Sequence, residues 1–139
     1  MMTPFLTVDC VLFHFEKVLL IRRRFKPYKD CYALPGGFVD IGENVEEACI
    51  REVKEETSIK VDKKTLKLVG VYSNPNRDPR AHTVSIAFLG HSKFEVINAG
   101  DDATSVEFVE NWRNLDIAFD HGSIIDDAWD LQLNILGKK

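Results

Sequence analysis

Hydrophobic positions in this chain fall mostly into short dense runs with strand spacing, interrupted twice by stretches of helical spacing. Thr7 to Phe15 (TVDCVLFHF) is rich in β-branched and aromatic residues, and Val18 to Ile21 repeats that character after Glu16-Lys17. The pair predicts a hairpin of strands with much of both faces covered. Tyr32 to Leu34 predicts a short strand leading into Pro35-Gly36-Gly37, where adjacent glycines let backbone approach a ligand closely. Leu66 to Ser73, His82 to Gly90 and Ser105 to Val109 predict further strands, and Lys93 to Ile97 a strand or loop edge. Helical spacing begins at Val45. Asn44 suits an N-cap, and Glu47, three residues on, can reach back to complete a capping box. Val45, Ala48, Cys49, Ile50 and Val53 then form one apolar arc. A last helix is predicted from a Ser123 cap, with Asp126 and Asp127 in its first turn and a core stripe of Ile124, Ala128, Leu131 and Ile135. Periodicity alone therefore predicts an α+β or α/β domain.

The first helix breaks its own pattern. Glu52 and Glu56 fall inside the apolar arc and Glu55 lies on its edge, whereas Glu46, Glu47 and Lys54 take the opposite face. A part-buried, unpaired carboxylate is costly, and three within one turn repel one another. A hard divalent cation removes both problems, because Mg²⁺ takes oxygen ligands and combines a few carboxylates with water and substrate phosphate. Arg51 stands beside the cluster and can orient it, with Glu47 or Glu55 as partners four residues away. A surface helix laced with ion pairs would show the same REVKEE run, so the longer pattern has to decide.

Composition narrows the surroundings of such a site. At 139 residues and 45% apolar, the chain suits one packed domain over residues 1–139. Cys10, Cys31 and Cys49 are odd in number and lack CxxC spacing, which argues for reduced, largely buried thiols over a disulfide framework or zinc cluster. No basic segment precedes an apolar run near Met1, and no run approaches membrane-spanning length, so a cytoplasmic protein with no membrane partner is expected. The net charge of −4, with both signs interspersed, speaks against a polymeric nucleic-acid partner. Positive charge for an anionic ligand then has to come from metal ions and a few arginines. Arg22-Arg23-Arg24 ends a strand, and Arg77 and Arg80 sit on a loop stiffened by Pro75 and Pro79, where guanidinium forks would suit phosphate.

The span from Gly37 to Ile59, GFVDIGENVEEACIREVKEETSI, reads G-x5-E-x7-R-E-(apolar)-x-E-E-x-x-(apolar). This array resembles the Nudix box, the signature of hydrolases that cleave nucleoside diphosphates linked to another group. One position departs from it: Ser58 stands where the family usually has glycine, just past the helix, where left-handed backbone is wanted. Serine adopts that conformation at a cost on the order of 1 kcal/mol, so the departure bears on stability more than on chemistry. Pro75, sixteen residues past Ile59, is similarly placed to the mark of the ADP-ribose pyrophosphatases. The runs GVYSNPNRDPR, HTVSIAFLG and AGDDA also resemble the prokaryotic members of that subgroup.

The resemblance covers nearly the whole chain and implies the Nudix fold, an α/β/α sandwich around a mixed β-sheet. It implies hydrolysis of ADP-ribose to AMP and ribose 5-phosphate with Mg²⁺, Mn²⁺ being the alternative ion. Glu52, Glu55, Glu56 and the Gly36 carbonyl become the expected metal ligands, with Arg51 beside them and Glu43 steadying the loop. Substrate contacts are expected from Arg23, Gly37, Ser73, Pro75 and Arg77. The proton acceptor is Glu52 or an acid outside the box, with Asp101, Asp102 and Glu107 as candidates. Adenine is expected to stack on an aromatic ring, with Phe25, Tyr28 and Tyr72 all open. The expected partner is a small nucleoside diphosphate, and a homodimer is the assembly the subgroup implies. Two alternatives stay open: another nucleoside diphosphate conjugate or an oxidised nucleotide as substrate, or an ADP-ribose-sensing domain without catalysis, which the intact acidic positions oppose.

Overall fold

In chain order the elements are β1 (Phe5–His14), β2 (Lys17–Arg22), β3 (Tyr32–Ala33), β4 (Gly36–Phe38), α1 (Val45–Thr57), β5 (Lys67–Tyr72), β6 (Thr83–Gly90), β7 (Val106–Val109) and α2 (His121–Ile135). Single 3-10 turns lie at Lys63–Thr65 and Trp112–Asn114. This is a computed structural model, and it describes residues 2–93 and 106–137. Asp101, Asp102 and the end of the Lys93 to Ile97 stretch lie outside the described residues.

β1 is the axis of the sheet. On one side it runs parallel to β6 in unbroken register, from Phe5↔Thr83 to Leu12↔Gly90. On the other side it pairs antiparallel with two partners in succession, β4 near its start (Val8↔Gly37) and β2 at its end (Phe13↔Val18). β2 also carries β3 and β7, and β5 closes the far edge against β6, so the sheet is mixed.

Alternation along these strands feeds two separate cores. Val8, Cys10 and Leu12 of β1 join Leu19 and Phe88 against Ala48, Cys49 and Val53 of α1. Val11, Val18, Leu20, Ala87 and Leu89 point the other way, onto Ile124, Ile125 and Ala128 of α2. One helix on each face makes the α/β/α sandwich that the sequence led us to expect. Fully burying each aliphatic side chain contributes roughly 2 kcal/mol, which fixes α1 on the sheet despite its acids. Cys10 and Cys49 are buried, Cys31 is half-buried, and all three are free thiols.

Helix ends follow the sequence in one case and depart in the other. The Asn44–Glu47 capping box is formed, and Ser58 ends α1 in the left-handed region at φ 66°. α2, expected to begin after a Ser123 cap, starts three residues earlier at His121, with Asp120 in the cap position and its carboxylate turned elsewhere. The adjacent glycines after Pro35 open β4. A side chain at Gly36 would run into the Val8 carbonyl and Asp9, so only glycine lets this strand lie so close to β1.

Candidate active site

α1 presents its misplaced acids to β4. Glu56 Oε1 accepts the Gly36 N–H at 2.8 Å. One turn earlier, Glu52 lies against Gly37 so closely that a Cβ there would be 2.5 Å from its carboxylate oxygen. The two glycines thus let two glutamates and a stretch of backbone converge.

Arg51 ties this convergence together. Its Nε and Nη2 grip Glu43 at 2.7 and 3.0 Å, and Nη2 also donates to the Phe38 carbonyl at 3.0 Å. Nη1 reaches Glu52 at 3.1 Å and Glu55 at 3.2 Å. A planar, five-donor guanidinium is suited to holding loop and acids at once, which a lysine is not. Glu43 in turn accepts the Asp40 N–H at 3.0 Å, closing the loop ahead of the helix. Arg51 holds the Glu43 carboxyl below its usual range.

Electrostatics set Glu52 and Glu56 apart from ordinary surface acids. Burial pushes Glu56 up to about 7; the Gly36 N–H opposes this, while Glu52, Asp9 and Glu55 add to it. Burial likewise raises Glu52, against the pull of Arg51. Glu55 is more exposed and occupied with Arg51. Among the described residues no three acids, histidines or cysteines close a metal site by themselves. The donor set nevertheless fits Mg²⁺, which commonly takes one or two carboxylates and leaves its remaining positions to water and phosphate. Two desolvated carboxylates with raised pKa are relieved by a divalent cation.

A cleft of about 320 Å³ opens beside Gly36, Gly37 and Glu56. Its floor holds charge far below the surface. Asp9, only 6% exposed on β1, accepts from Ser85 Oγ, lies 3.5 Å from His121 Nε2 and 3.9 Å from Arg77 Nη2. Arg77, with 5% of its side chain exposed, is held by Asp120 through two bonds of 2.8 and 2.6 Å. The cleft wall carries Arg23 and Arg80, each with its guanidinium over the Phe119 ring, at 4.9 and 5.3 Å. Arg80 pairs with Asp78, whereas Arg23 rests on the Pro27 carbonyl at 2.8 Å. Phe5 and Phe38, about half exposed and edge to face at 5.8 Å, line the opposite end.

The structure thus brings Arg51, Glu52, Glu55, Glu56, Gly36 and Gly37 together and sets Arg23 and Arg77 in the adjoining cleft. Arg77 does not offer a free fork to phosphate there, since both prongs meet Asp120. Ser73 and Pro75 stay outside the cleft lining; the Ser73 carbonyl sits 3.1 Å from His82 Nε2. Glu107 pairs with Leu20 across the sheet, on the α2 side, and accepts from Tyr32 Oη at 3.0 Å, away from the α1 acids. Of the rings left open for adenine, Tyr72 is taken up with Asp127 at 2.6 Å and Tyr28 packs on Phe119, while Phe25 is exposed beside Arg24 and Glu56. Sequence reasoning missed Asp9, Ser85, Phe119, Asp120 and His121. An acid inside the apolar run TVDCVLF was the visible signal for the first of them.

Paired inward carboxylates, an arginine that orients them and a cationic cleft define a metal-using hydrolase of phosphate anhydrides. The chain belongs to the family described as the NUDIX domain, whose model matches residues 3–129. It is 48% identical over 124 residues to an ADP-ribose pyrophosphatase of Methanocaldococcus jannaschii, covering 89% of this chain and 72% of that protein. Among solved structures it is similar to a MutT/nudix family protein from Enterococcus faecalis, with TM-score 0.82 and 31% identity over 99% of this chain and 69% of the other. It is also similar to the NUDIX domain of Shewanella oneidensis NrtR complexed with ADP ribose, with TM-score 0.79 and 27% identity over 95% of this chain and 90% of that one.

Proposed function

We propose that this protein hydrolyses the diphosphate bridge of ADP-ribose, giving AMP and ribose 5-phosphate, in a Mg²⁺-dependent reaction. The observation that carries this reading is the inward pair Glu52 and Glu56 against Gly36-Gly37, organised by Arg51. The 48% identity to a named ADP-ribose pyrophosphatase supports the choice of substrate.

Glu52, Glu55 and Glu56, with the Gly36 carbonyl, would hold the cation. When bound, the cation neutralises diphosphate charge and acidifies a coordinated water. Arg51 keeps Glu52 in place, and Glu52, desolvated and of raised pKa, takes the proton from the attacking water. Arg23, whose guanidinium donates to the Pro27 and Phe25 carbonyls and leaves its charge without a carboxylate partner among the described residues, receives a phosphate oxygen from the cleft wall. The exposed Phe5 and Phe38 rings offer the stacking surface for adenine.

Incubation with ADP-ribose and Mg²⁺, with and without chelator, followed by product identification, tests this. AMP and ribose 5-phosphate are expected, and chelator abolishes both. Equal turnover of a panel of nucleoside diphosphate conjugates and oxidised nucleotides would overturn the substrate. The likeness to the NrtR domain favours one other reading, ADP-ribose binding without hydrolysis; ADP-ribose bound and recovered intact in the presence of Mg²⁺ would establish it.

A further inference from the structure

We propose that His121 is a positioning residue for the cation-binding turn: its unprotonated Nδ1 holds the Leu34 N–H and so fixes the backbone that carries Gly36 and Gly37. The inference rests on the reading of that turn as the cation site.

The Leu34 N–H points at His121 Nδ1 at 3.0 Å. A ring nitrogen accepts a hydrogen bond only without a proton, so the proton of the neutral ring sits on Nε2. That nitrogen faces Asp9 Oδ1 at 3.5 Å. The other Asp9 oxygen is claimed by the Ser85 hydroxyl and lies toward Arg77, which leaves Oδ1 for the imidazole. Asp9 therefore selects the tautomer that makes Nδ1 an acceptor. His121 is 6% exposed, so water does not replace the bond. Burial disfavours the imidazolium, as do Arg77 and Arg23, while Asp9 and Asp120 favour it.

Three bonds pin the turn. Leu34 N–H goes to His121 on α2, the Pro35 carbonyl accepts Cys10 N–H of β1 at 3.0 Å, and Gly36 N–H goes to Glu56 of α1 at 2.8 Å. All three layers of the sandwich thus set the height of the Gly36 carbonyl. Without His121 the α2 anchor is gone, the Leu34 N–H is left buried and unpaired, and the turn is free to shift away from Glu52 and Glu56.

The test uses the metal-free full chain and Mn²⁺ alone as probe. The ¹⁵N spectrum of the imidazole is expected to show His121 with Nε2 protonated and Nδ1 not; a proton on Nδ1 overturns the proposal. His121→Asn places an amide oxygen where Nδ1 was and is expected to bind Mn²⁺ within a few-fold of the parent. His121→Leu cannot accept, and its Mn²⁺ affinity is expected to fall about 10–100-fold, with kcat largely recovered at saturating metal. Unchanged Mn²⁺ binding by His121→Leu overturns the proposal. If that variant fails to fold, Asp9→Asn decides. Ser85 and Arg77 keep the amide oxygen, the amide NH₂ faces Nε2, and the tautomer is expected to invert with a matching loss of Mn²⁺ affinity; an inverted tautomer with parental affinity, or an unchanged tautomer whether or not affinity is lost, overturns the proposal. Failure of the cation site itself is read separately, as full Mn²⁺ affinity in Glu56→Gln with the His121 tautomer intact.

Discussion

Glu56 Oε1 accepts the Gly36 N–H at 2.8 Å, so the acidic helix and the glycine strand are joined by one of the carboxylates expected to bind the cation. The bond needs an acceptor but no charge, and the cation needs the charge. Glu56→Gln is therefore expected to fold, and to melt like the parent at the low pH where Glu56 is protonated, while kcat/KM on ADP-ribose falls by roughly 10²–10³, the scale of losing one transition-state charge stabiliser. A variant with parental turnover would move the active site elsewhere.

The same carboxylate links stability to pH. Its folded-state pKa of about 7 lies above the ordinary 4.5, so the folded protein holds this proton more tightly than the unfolded chain. Metal-free protein is accordingly expected to lose stability as pH rises from about 4.5 to 7, with the slope reduced in Glu56→Gln. Saturating Mg²⁺ is expected to oppose the loss, because the cation binds the ionised form. Melting curves with chelator and with Mg²⁺, across that window, check both signs.

Gly36 and Gly37 are expected to fail differently when replaced by alanine. At Gly36 the new Cβ meets β1 backbone, which cannot step aside, so the variant should lose stability. At Gly37 it meets only the far end of Glu52, 2.5 Å away, so the fold should survive while Mn²⁺ affinity and activity drop. A Gly37→Ala protein with normal metal affinity would contradict the placement of Glu52.

Ser58 holds the left-handed cap of α1 at φ 66°. Ser58→Gly relieves that conformation and is expected to raise stability by about 1 kcal/mol, with unchanged kcat. Chemical denaturation measures the first and initial rates the second.

Asp120→Ala strands the buried Arg77 guanidinium. Breaking a buried pair costs about 3–5 kcal/mol, and the part-exposed Asp120 places the expected loss near the lower end. A loss below about 1 kcal/mol would show that water or Asp9 takes over the partnership.

Much of this was readable because it is local. The strand runs, the capping box at Asn44 and the left-handed Ser58 each depend on neighbours a few residues away. The acids of α1 were legible for the same reason, since helical spacing alone showed them on the wrong face. Long-range charge pairing has no such period. Arg77 looked like a phosphate fork because nothing nearby in sequence announces Asp120, 43 residues on. Asp120 also explains the misjudged start of α2: its carboxylate serves Arg77, so no capping signature marks the helix. His121 and Leu34 are 87 residues apart, and their bond is visible only once the sheet has formed.

The parallel pairing of β1 with β6 also shapes how the domain forms. Thr7 and its β6 contact Val84 are 77 residues apart, and Asp9 waits 76 residues for Ser85. A ribosome delivers β1 and its hairpin partner long before the strand that covers their other side. Until then a row of apolar side chains and open backbone groups is available to chaperones or to other nascent chains. Resistance to protease should therefore arrive late in translation and abruptly, once β6 and then the α2 helix that covers the second face have cleared the exit tunnel.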